Sequence, residues 1–277
     1  MPPQESSEGA GKGDFFDQQT LVKHVTRLHT IFSPSYHRAG SENQALAVVQ
    51  FGDGFFGDGP VPANISRCSA KALAASLHFE QPELTVRVLD FSPHIAVDQL
   101  CAYIIAELAT ADSYAAVGYG ADQIRRVPYP VLRSIAADKP RSIRWSPKDV
   151  VLATGGAKGI TAECALTFAR AAGVQLALVG SSSPSMRNDQ QDEILYTLQR
   201  AREAGLSAHY YQCDVTDVEA VKRLVRQVEN EQGIITGVIH GSALNRPGAL
   251  NSVSVDQALE EISPKIFGAI NLCTALH

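Results

Sequence analysis

Hydrophobic residues between positions 150 and 241 alternate between short continuous runs and helical periodicity. Four runs are short and apolar enough to be strands of a buried parallel sheet, at 150–153, 174–179, 208–211 and 234–241. Residues 162–172, 189–204 and 218–231 between them have helical character, and Gly173, Gly205 and Gly233 stand where these helices should end. Strands alternating with helices in this way form right-handed βαβ units, so we predict a doubly wound parallel sheet.

The first 145 residues show the same alternation in an eroded form. We predict strands over 46–51 and 85–90 and helices over 66–79 and 97–109. A glycine turn follows the first of these strands, but Asp53 and Asp58 within it would repel a phosphate, so we expect a structural loop. Four prolines, Pro128, Pro130, Pro140 and Pro147, then mark a linker-like passage.

The pattern therefore predicts an α/β chain with two Rossmann-like subdomains, of which only the second is functional. We expect a flexible leader over residues 1–16, a structural subdomain over 17–145 and a dinucleotide-binding subdomain over 146–277.

The candidate binding site is the turn at residues 154–161, between the first strand and first helix of the second half. Gly155 and Gly159 would let backbone N–H groups approach a pyrophosphate at the helix N-terminus. Lys158 either adds positive charge there or points into solvent. A lone glycine-rich turn is usually an ordinary loop, and the surrounding strand–turn–helix–strand order is what favours phosphate binding.

Composition narrows the possible partners. The net charge of −5, the pI near 5.9 and the scattered Lys and Arg give no basic surface for nucleic acid. No apolar run is as long as a membrane span, and residues 1–14 lack a signal-peptide core. The five cysteines are far apart and without CxxC spacing, so we expect reduced, buried thiols in a cytoplasmic protein and no metal site: Cys68, Cys101, Cys164, Cys213 and Cys273.

The order of these features resembles the ketoreductase domain of polyketide synthases and polyunsaturated fatty acid synthases, within the short-chain dehydrogenase/reductase superfamily. The matching segments are 69–77 and 86–90 in the first half, and 154–161, 178–181, 213–216 and 237–243 in the second. The resemblance covers nearly all of residues 20–277. It implies that a structural subdomain without a nucleotide precedes a catalytic subdomain that binds NADPH.

The resemblance also implies roles for single residues. Asp214 and Val215 match the positions that hold the adenine ring, although Asp214 could instead cap the next helix. His240 is expected beside the cofactor or hydrogen-bonded in the core, and not as a base. The expected cofactor-binding residues are Thr154, Gly155, Ala157, Lys158, Gly159, Ile160, Ser181, Ser182, Asp214, Val215, His240, Gly241 and Ser242.

The residues directly after the predicted strand at 174–179 affect the choice between NAD and NADP as cofactor. An Asp or Glu there would bind the ribose hydroxyls of NAD, whereas residues 180–183 are Gly-Ser-Ser-Ser. The family usually has an arginine where Ser181 stands, paired with the 2′-phosphate of NADPH. Serine hydroxyls can also donate to a phosphate, and Lys158 or Arg187 could supply charge, so NADPH is the expected cofactor.

Reduction of a carbonyl also needs a proton donor, usually a tyrosine made more acidic by a lysine, and a serine hydroxyl. Lys265 matches the family's lysine; its alternative is a solvated residue in the first turn of a helix that Pro264 begins. The family's serine and tyrosine lie on a strand and helix beyond residue 277. A helix from about residue 254 to residue 276 is predicted at the end of the chain. We therefore expect an incomplete sheet with an exposed edge, in a fragment of a longer synthase.

Two functional hypotheses follow. In the first, the parent protein reduces a β-ketoacyl chain carried on the phosphopantetheine arm of an acyl carrier protein, beside other synthase domains, and Lys265 tunes the tyrosine. In the second, the chain is a non-catalytic dinucleotide-binding or structural module.

Overall fold

A computed structural model describes most of the chain in two compact units. The first unit lies within residues 1–134 and 248–255, and the second within 135–247 and 256–277. The described residues are 44–59, 70–110, 112–132, 143–184, 192–249 and 252–276, with helical residues at 19, 22, 23, 25–27 and 30. The predicted leader at 1–16 lies outside them.

The first unit is built on a four-stranded sheet of order β1-β2-β3-β4, in which β1, β2 and β3 are parallel and β4 is antiparallel to β3. The strands are β1 (Ala45–Gln50), β2 (Thr85–Phe91), β3 (Tyr114–Tyr119) and β4 (Arg125–Arg126). The helices are α1 (Ala70–Glu80) and α2 (Val97–Leu108). The alternation predicted for this half is confirmed, but the sequence pattern missed β3 and β4. Strand β3 is rich in Ala, Gly and Tyr and has one β-branched residue, Val117, so its strand signal is weak.

The glycine turn of the first unit is filled by a side chain of the same unit. The fully buried carboxylate of Asp90, at the end of β2, accepts hydrogen bonds from the backbone N–H groups of Gly52 (2.6 Å) and Phe56 (2.9 Å). The Gln50 side chain donates to the same carboxylate at 3.1 Å. Backbone N–H groups that could bind a phosphate are thus occupied, which supports the prediction of a structural loop.

Two buried charged residues, Arg87 and Glu107, form hydrogen bonds around the C-terminal end of α2. Arg87 is fully buried and donates to the carbonyl oxygens of Glu107 (2.8 Å) and Asp112 (2.5 Å). The Glu107 carboxylate accepts two hydrogen bonds from Arg125, at 2.7 and 3.0 Å, and one from the Tyr119 hydroxyl at 2.6 Å. The pairing with Arg125 holds the pKa of Glu107 below its usual value. These contacts join α2 to three strands of the sheet.

The second unit is built on a fully parallel sheet of order β7-β6-β5-β8. Its strands are β5 (Val150–Thr154), β6 (Gln175–Gly180), β7 (Ala208–Gln212) and β8 (Ile235–His240). Its helices are α3 (Gly159–Ala172), α4 (Glu193–Glu203), α5 (Val218–Glu231) and α6 (Val255–Ala275). The predicted α/β fold with Rossmann-like parallel sheets is confirmed.

Alternate residues of β5 enter two separate hydrophobic cores. Val150 and Leu152 pack in one core with side chains of α5 and α6, whereas Val151 and Ala153 pack in the other with side chains of α3 and α4. Helices therefore cover both faces of the sheet, which explains why the β5 sequence is an unbroken apolar run.

Two expectations about single residues were wrong. The helix predicted over about 254–276 is confirmed as α6, but it begins at Val255 and continues through Pro264, so the alternative that placed Lys265 in a first turn is wrong. Cys101, Cys164 and Cys273 are exposed rather than buried, because they occupy the solvent-facing sides of α2, α3 and α6; Cys213 is buried. Cys68 lies outside the described residues.

Candidate functional site

The carboxyl ends of β5, β6, β7 and β8 open into a cleft of about 940 Å³. This is the edge at which open parallel sheets bind ligands, and the volume suits a small-molecule site. Ten of the thirteen expected cofactor-binding residues line it: Gly155, Ala157, Lys158, Gly159, Ser181, Ser182, Asp214, Val215, Gly241 and Ser242. The structure thus brings together residues that are up to 87 positions apart in sequence.

The glycine turn forms the floor of this cleft. Gly155 has a φ of +66°, and a Cβ placed on it would lie 2.7 Å from the carbonyl oxygen of Gly241, so the two backbones can be adjacent only with glycine there. Gly159, with a φ of +55°, begins α3. The first N–H groups of a helix have no partner within the helix and carry its positive dipole end, so this edge of the cleft suits an anion.

Ser181, Ser182 and Lys158 form one wall of the cleft. Side chains of β7 hold the backbone here, because Tyr210 donates to the carbonyl of Ser182 (2.5 Å) and Gln212 to that of Ser181 (3.0 Å). The Lys158 ammonium lies 3.5 Å from the Ser182 hydroxyl, so a cation and a hydroxyl donor meet at this wall. Arg187, the other predicted cation, lies outside the described residues.

The loop after β7 forms a neighbouring part of the cleft wall. One oxygen of the Asp214 carboxylate accepts from the backbone N–H (2.9 Å) and the hydroxyl (2.8 Å) of Thr216. The N-cap of α5 is Asp217, whose carboxylate accepts from the N–H groups of Glu219 and Ala220. The alternative reading of Asp214 as the helix cap is therefore wrong. Burial, reinforced by the nearby Asp214 charge, raises the pKa of the Cys213 thiol to about 11, so this thiol is uncharged.

His240, at the end of β8, joins β5 to α6. Its Nδ1 lies 2.7 Å from the hydroxyl of Thr154, and its Nε2 lies 3.1 Å from the carbonyl oxygen of Lys265. Because a carbonyl oxygen only accepts, Nε2 is the donor, and in the neutral ring Nδ1 accepts from Thr154. Both ring nitrogens of His240 are thus within hydrogen-bond distance of a protein oxygen, and its place beside the cofactor stays a prediction.

Four predicted residues do not line the cleft. Thr154 is fully buried behind it, His240 is engaged as described, and Ile160 is 83% exposed on the first turn of α3. The Lys265 side chain is exposed and absent from the lining, although the preceding Ser263 and Pro264 contribute to it.

The sequence reasoning missed two residues of α6 that contact the cleft wall. Asn271 donates to backbone carbonyls of the loop after β7, and Gly268 lies against Val215. Both residue types are weak helix formers inside a helix, which is a signal that could have identified them. Among the described residues there is no cluster of side chains able to hold a metal ion, and no helix long and apolar enough to span a membrane.

The KR domain family model matches residues 150–277. Among curated proteins, polyketide synthase PksN of Bacillus subtilis (strain 168) is 32% identical over 135 residues, which are 49% of this chain and 2% of PksN. Polyketide synthase PksL of the same strain is 26% identical over 225 residues, 77% of this chain and 5% of PksL. The chain thus spans only a small part of these relatives.

Solved structures show the same fold. A ketoreductase domain from the bacillaene assembly line matches with a TM-score of 0.68 at 18% identity, over 97% of this chain and 59% of that one. The ketoreductase from the first module of phoslactomycin biosynthesis in Streptomyces sp. HK803 matches with a TM-score of 0.64 at 22% identity, over 91% of this chain and 55% of that one. Residues 150–277, which contain the whole cleft, thus match the KR domain family model, and the curated relatives that this region resembles are polyketide synthases.

Proposed function

We propose that the cleft binds NADPH and that the chain is part of a β-ketoacyl reductase. The substrate of this reductase would be a β-ketoacyl chain tethered to an acyl carrier protein. The reductase would lie beside other domains of a synthase. The observation that carries the proposal is the cleft itself, where the glycine turn and the N-terminus of α3 meet the carboxyl ends of four parallel strands. In this proposal residues 17–145 are the structural subdomain and residues 146–277 the catalytic one.

The lining residues fit each part of the cofactor. The diphosphate would lie against the turn from Gly155 to Gly159, where backbone N–H groups and the helix dipole favour negative charge. The adenine would lie at Asp214 and Val215, and the nicotinamide ribose at Gly241 and Ser242. NADPH, when bound, supplies the hydride for reduction of the keto group.

The 2′-phosphate would be held by Ser181, Ser182 and Lys158. Two hydroxyl donors and an ammonium can replace the family's arginine, but an ammonium lacks the paired donors of a guanidinium. No acidic side chain follows β6 directly to bind the ribose hydroxyls of NAD, which supports NADPH as the preferred cofactor.

A second candidate function is a non-catalytic dinucleotide-binding or structural module. The exposed Lys265 side chain, outside the cleft lining, favours it. In the reductase proposal Lys265 acts on the family's tyrosine, so its side chain must turn toward the reacting carbonyl. Nucleotide binding by the purified chain separates a cofactor site from a purely structural module.

We would titrate the full 277-residue chain with NADPH and NADH by calorimetry, in the wild type and in Gly159→Asp. A carboxylate at the start of α3 would repel the diphosphate, so NADPH affinity should fall at least about tenfold. Gly205→Asp is the matched control: Gly205 also has a positive φ of 67°, and neither glycine has an atom within 4 Å of its Cβ position. Equal losses in both variants, or a folded wild type that binds neither nucleotide, would contradict the cofactor site.

A further inference from the structure

Asn271 lies outside the cleft but contacts the peptide units that form one of its walls. Its Nδ2 donates to the carbonyl oxygens of Val215 (2.9 Å) and Thr216 (3.1 Å), two consecutive residues of the loop between β7 and α5. Asn271 itself is half-buried on α6 and does not line the cleft. One amide group of α6 therefore fixes two neighbouring peptide planes.

The opposite side of the same two peptide units faces Asp214. In a trans peptide the C=O and N–H groups point in opposite directions. The N–H of Thr216, which shares a peptide unit with the Val215 carbonyl, donates to the Asp214 carboxylate at 2.9 Å. The N–H of Asp217, which shares the next unit with the Thr216 carbonyl, donates to the Asp214 backbone oxygen at 3.2 Å. The two peptide units are thus held between Asn271 and Asp214.

Helix α6 packs closely against this loop at Gly268. A Cβ on Gly268 would lie 2.8 Å from a methyl carbon of Val215 and 3.0 Å from the ring of His240. Gly268 stands one turn before Asn271, so the missing side chain lets α6 approach near enough for the Asn271 amide to reach the carbonyls.

We propose that Asn271 is a positioning residue for the adenosine end of the cofactor cleft, acting through the peptide units at 215–217 on the Asp214 carboxylate. The described hydrogen bonds of this carboxylate all use Oδ1, which leaves Oδ2 for a donor of the ligand such as an exocyclic amine. The proposal rests on the proposed function, in which this wall receives the adenine of NADPH. Helix α6 would then contribute to binding of the adenosine phosphate through Asn271, whereas the Lys265 side chain on the same helix is exposed and does not line the cleft.

The test uses the full chain and two cofactor fragments, adenosine 2′,5′-bisphosphate and reduced nicotinamide mononucleotide. In Asn271→Leu, which keeps the size but loses the donor, affinity for the adenosine fragment and for NADPH should fall about tenfold. Affinity for the nicotinamide fragment should stay within about twofold. Asn271→Gln keeps an amide donor and should recover part of the loss, and it decides the test if the leucine variant does not fold.

Thr274→Val is the matched control on the same helix. Its hydroxyl donates to the carbonyl of Ile270 at 2.9 Å, so this variant also loses a side-chain hydrogen bond, but one that is remote from the loop. In the absence of nucleotide, amide hydrogen exchange at Thr216 and Asp217 should accelerate in Asn271→Leu and not in Thr274→Val.

Each outcome has a distinct meaning. A wild type that binds no adenosine fragment and no NADPH would overturn the proposed function, and this inference with it. A wild type that binds both, with Asn271→Leu binding equally well, would overturn this inference alone. Unchanged exchange at Thr216 and Asp217 would also overturn it, because Asn271 would then not hold the loop.

Discussion

Ser181 stands where the family that the sequence resembles usually has an arginine. Its side chain is exposed on the wall of the cleft, and its backbone is fixed by the hydrogen bond from Gln212. A serine can donate one hydrogen bond to a phosphate but carries no charge, so among the residues that the structure describes Lys158 is the cation on this wall in the proposed NADPH complex. A further positive charge at this wall should therefore raise the affinity for the 2′-phosphate.

We predict that Ser181→Arg raises the preference for NADPH over NADH by about tenfold, because a guanidinium donates paired, charge-assisted hydrogen bonds to a phosphate. Calorimetric titration with both nucleotides measures the ratio. Ser183→Arg is the control, since Ser183 is also exposed but does not line the cleft. An equal gain in both variants would indicate a general charge effect rather than a 2′-phosphate site.

Glu107 gives a prediction about pH and stability. Its carboxylate is buried and its pKa is lowered chiefly by the hydrogen bond from Arg125. A carboxylate with a lowered pKa in the folded state contributes stability above its unfolded pKa, and this contribution is lost as the pH falls through the folded pKa. Glu107→Gln should therefore lower the free energy of unfolding by about 2 kcal/mol near neutral pH.

The deficit of Glu107→Gln should shrink in acid, below about pH 4.5, where the unfolded wild type takes up a proton. Urea unfolding at several pH values measures it. Glu163→Gln is the control: the Glu163 carboxylate also pairs with an arginine, Arg200, but it is exposed, so the variant should change stability little. If the stability difference between the wild type and Glu107→Gln grew as the pH fell, the lowered pKa of Glu107 in the folded state would be contradicted.

At the scale of the element, the two aspartates after β7, Asp214 and Asp217, have different structural roles. Asp217 accepts hydrogen bonds from the first N–H groups of α5, whereas Asp214 lies on the cleft wall and binds Thr216. Sequence alone could not separate these roles, because both residues precede the same helix and both residue types suit an N-cap.

We predict that Asp217→Ala lowers the free energy of unfolding by about 1 kcal/mol and leaves NADPH affinity within about twofold. Asp214→Ala should weaken NADPH binding by about tenfold or more, because the carboxylate proposed to receive the adenine amine is gone. Urea unfolding and calorimetry on both variants test the pair, and each variant controls for the other. A loss of affinity in Asp217→Ala without a loss in Asp214→Ala would reverse the assignment.

Elements with a strong local signal could be predicted from the sequence, and those determined by tertiary contacts could not. The unbroken apolar run of β5 and the stop at Gly173, which adopts a φ of +70°, required only local patterns. The helix predicted over about 254–276 is confirmed as α6 (Val255–Ala275). The alternative of a helix that begins at Pro264 is wrong, because α6 runs through the proline. Tertiary contacts hold this helix in place: Leu272 packs in the core with Val150 and Leu152, and Asn271 donates to the carbonyl of Val215.

At the scale of the whole molecule, the chain contains two glycine turns after a first parallel strand, and they differ in what fills them. In the first unit the N–H groups of Gly52 and Phe56 bind Asp90. In the second unit the turn from Gly155 to Gly159 opens into the cleft. The sequence anticipated this difference from Asp53 and Asp58, but the residue that fills the first turn is Asp90, which lies on another strand and could be found only from the fold.

This difference predicts one NADPH per chain. Calorimetric titration should give a stoichiometry near one, and Gly159→Asp should weaken that single site without revealing another. Asp90→Asn places an NH₂ group among N–H donors, so at least one buried hydrogen bond is lost and the melting temperature should fall. NADPH affinity should nevertheless stay within about twofold of the wild type, because Asp90 belongs to the first unit and the cleft to the second. A second binding event in the wild type would show that the first turn also receives a nucleotide.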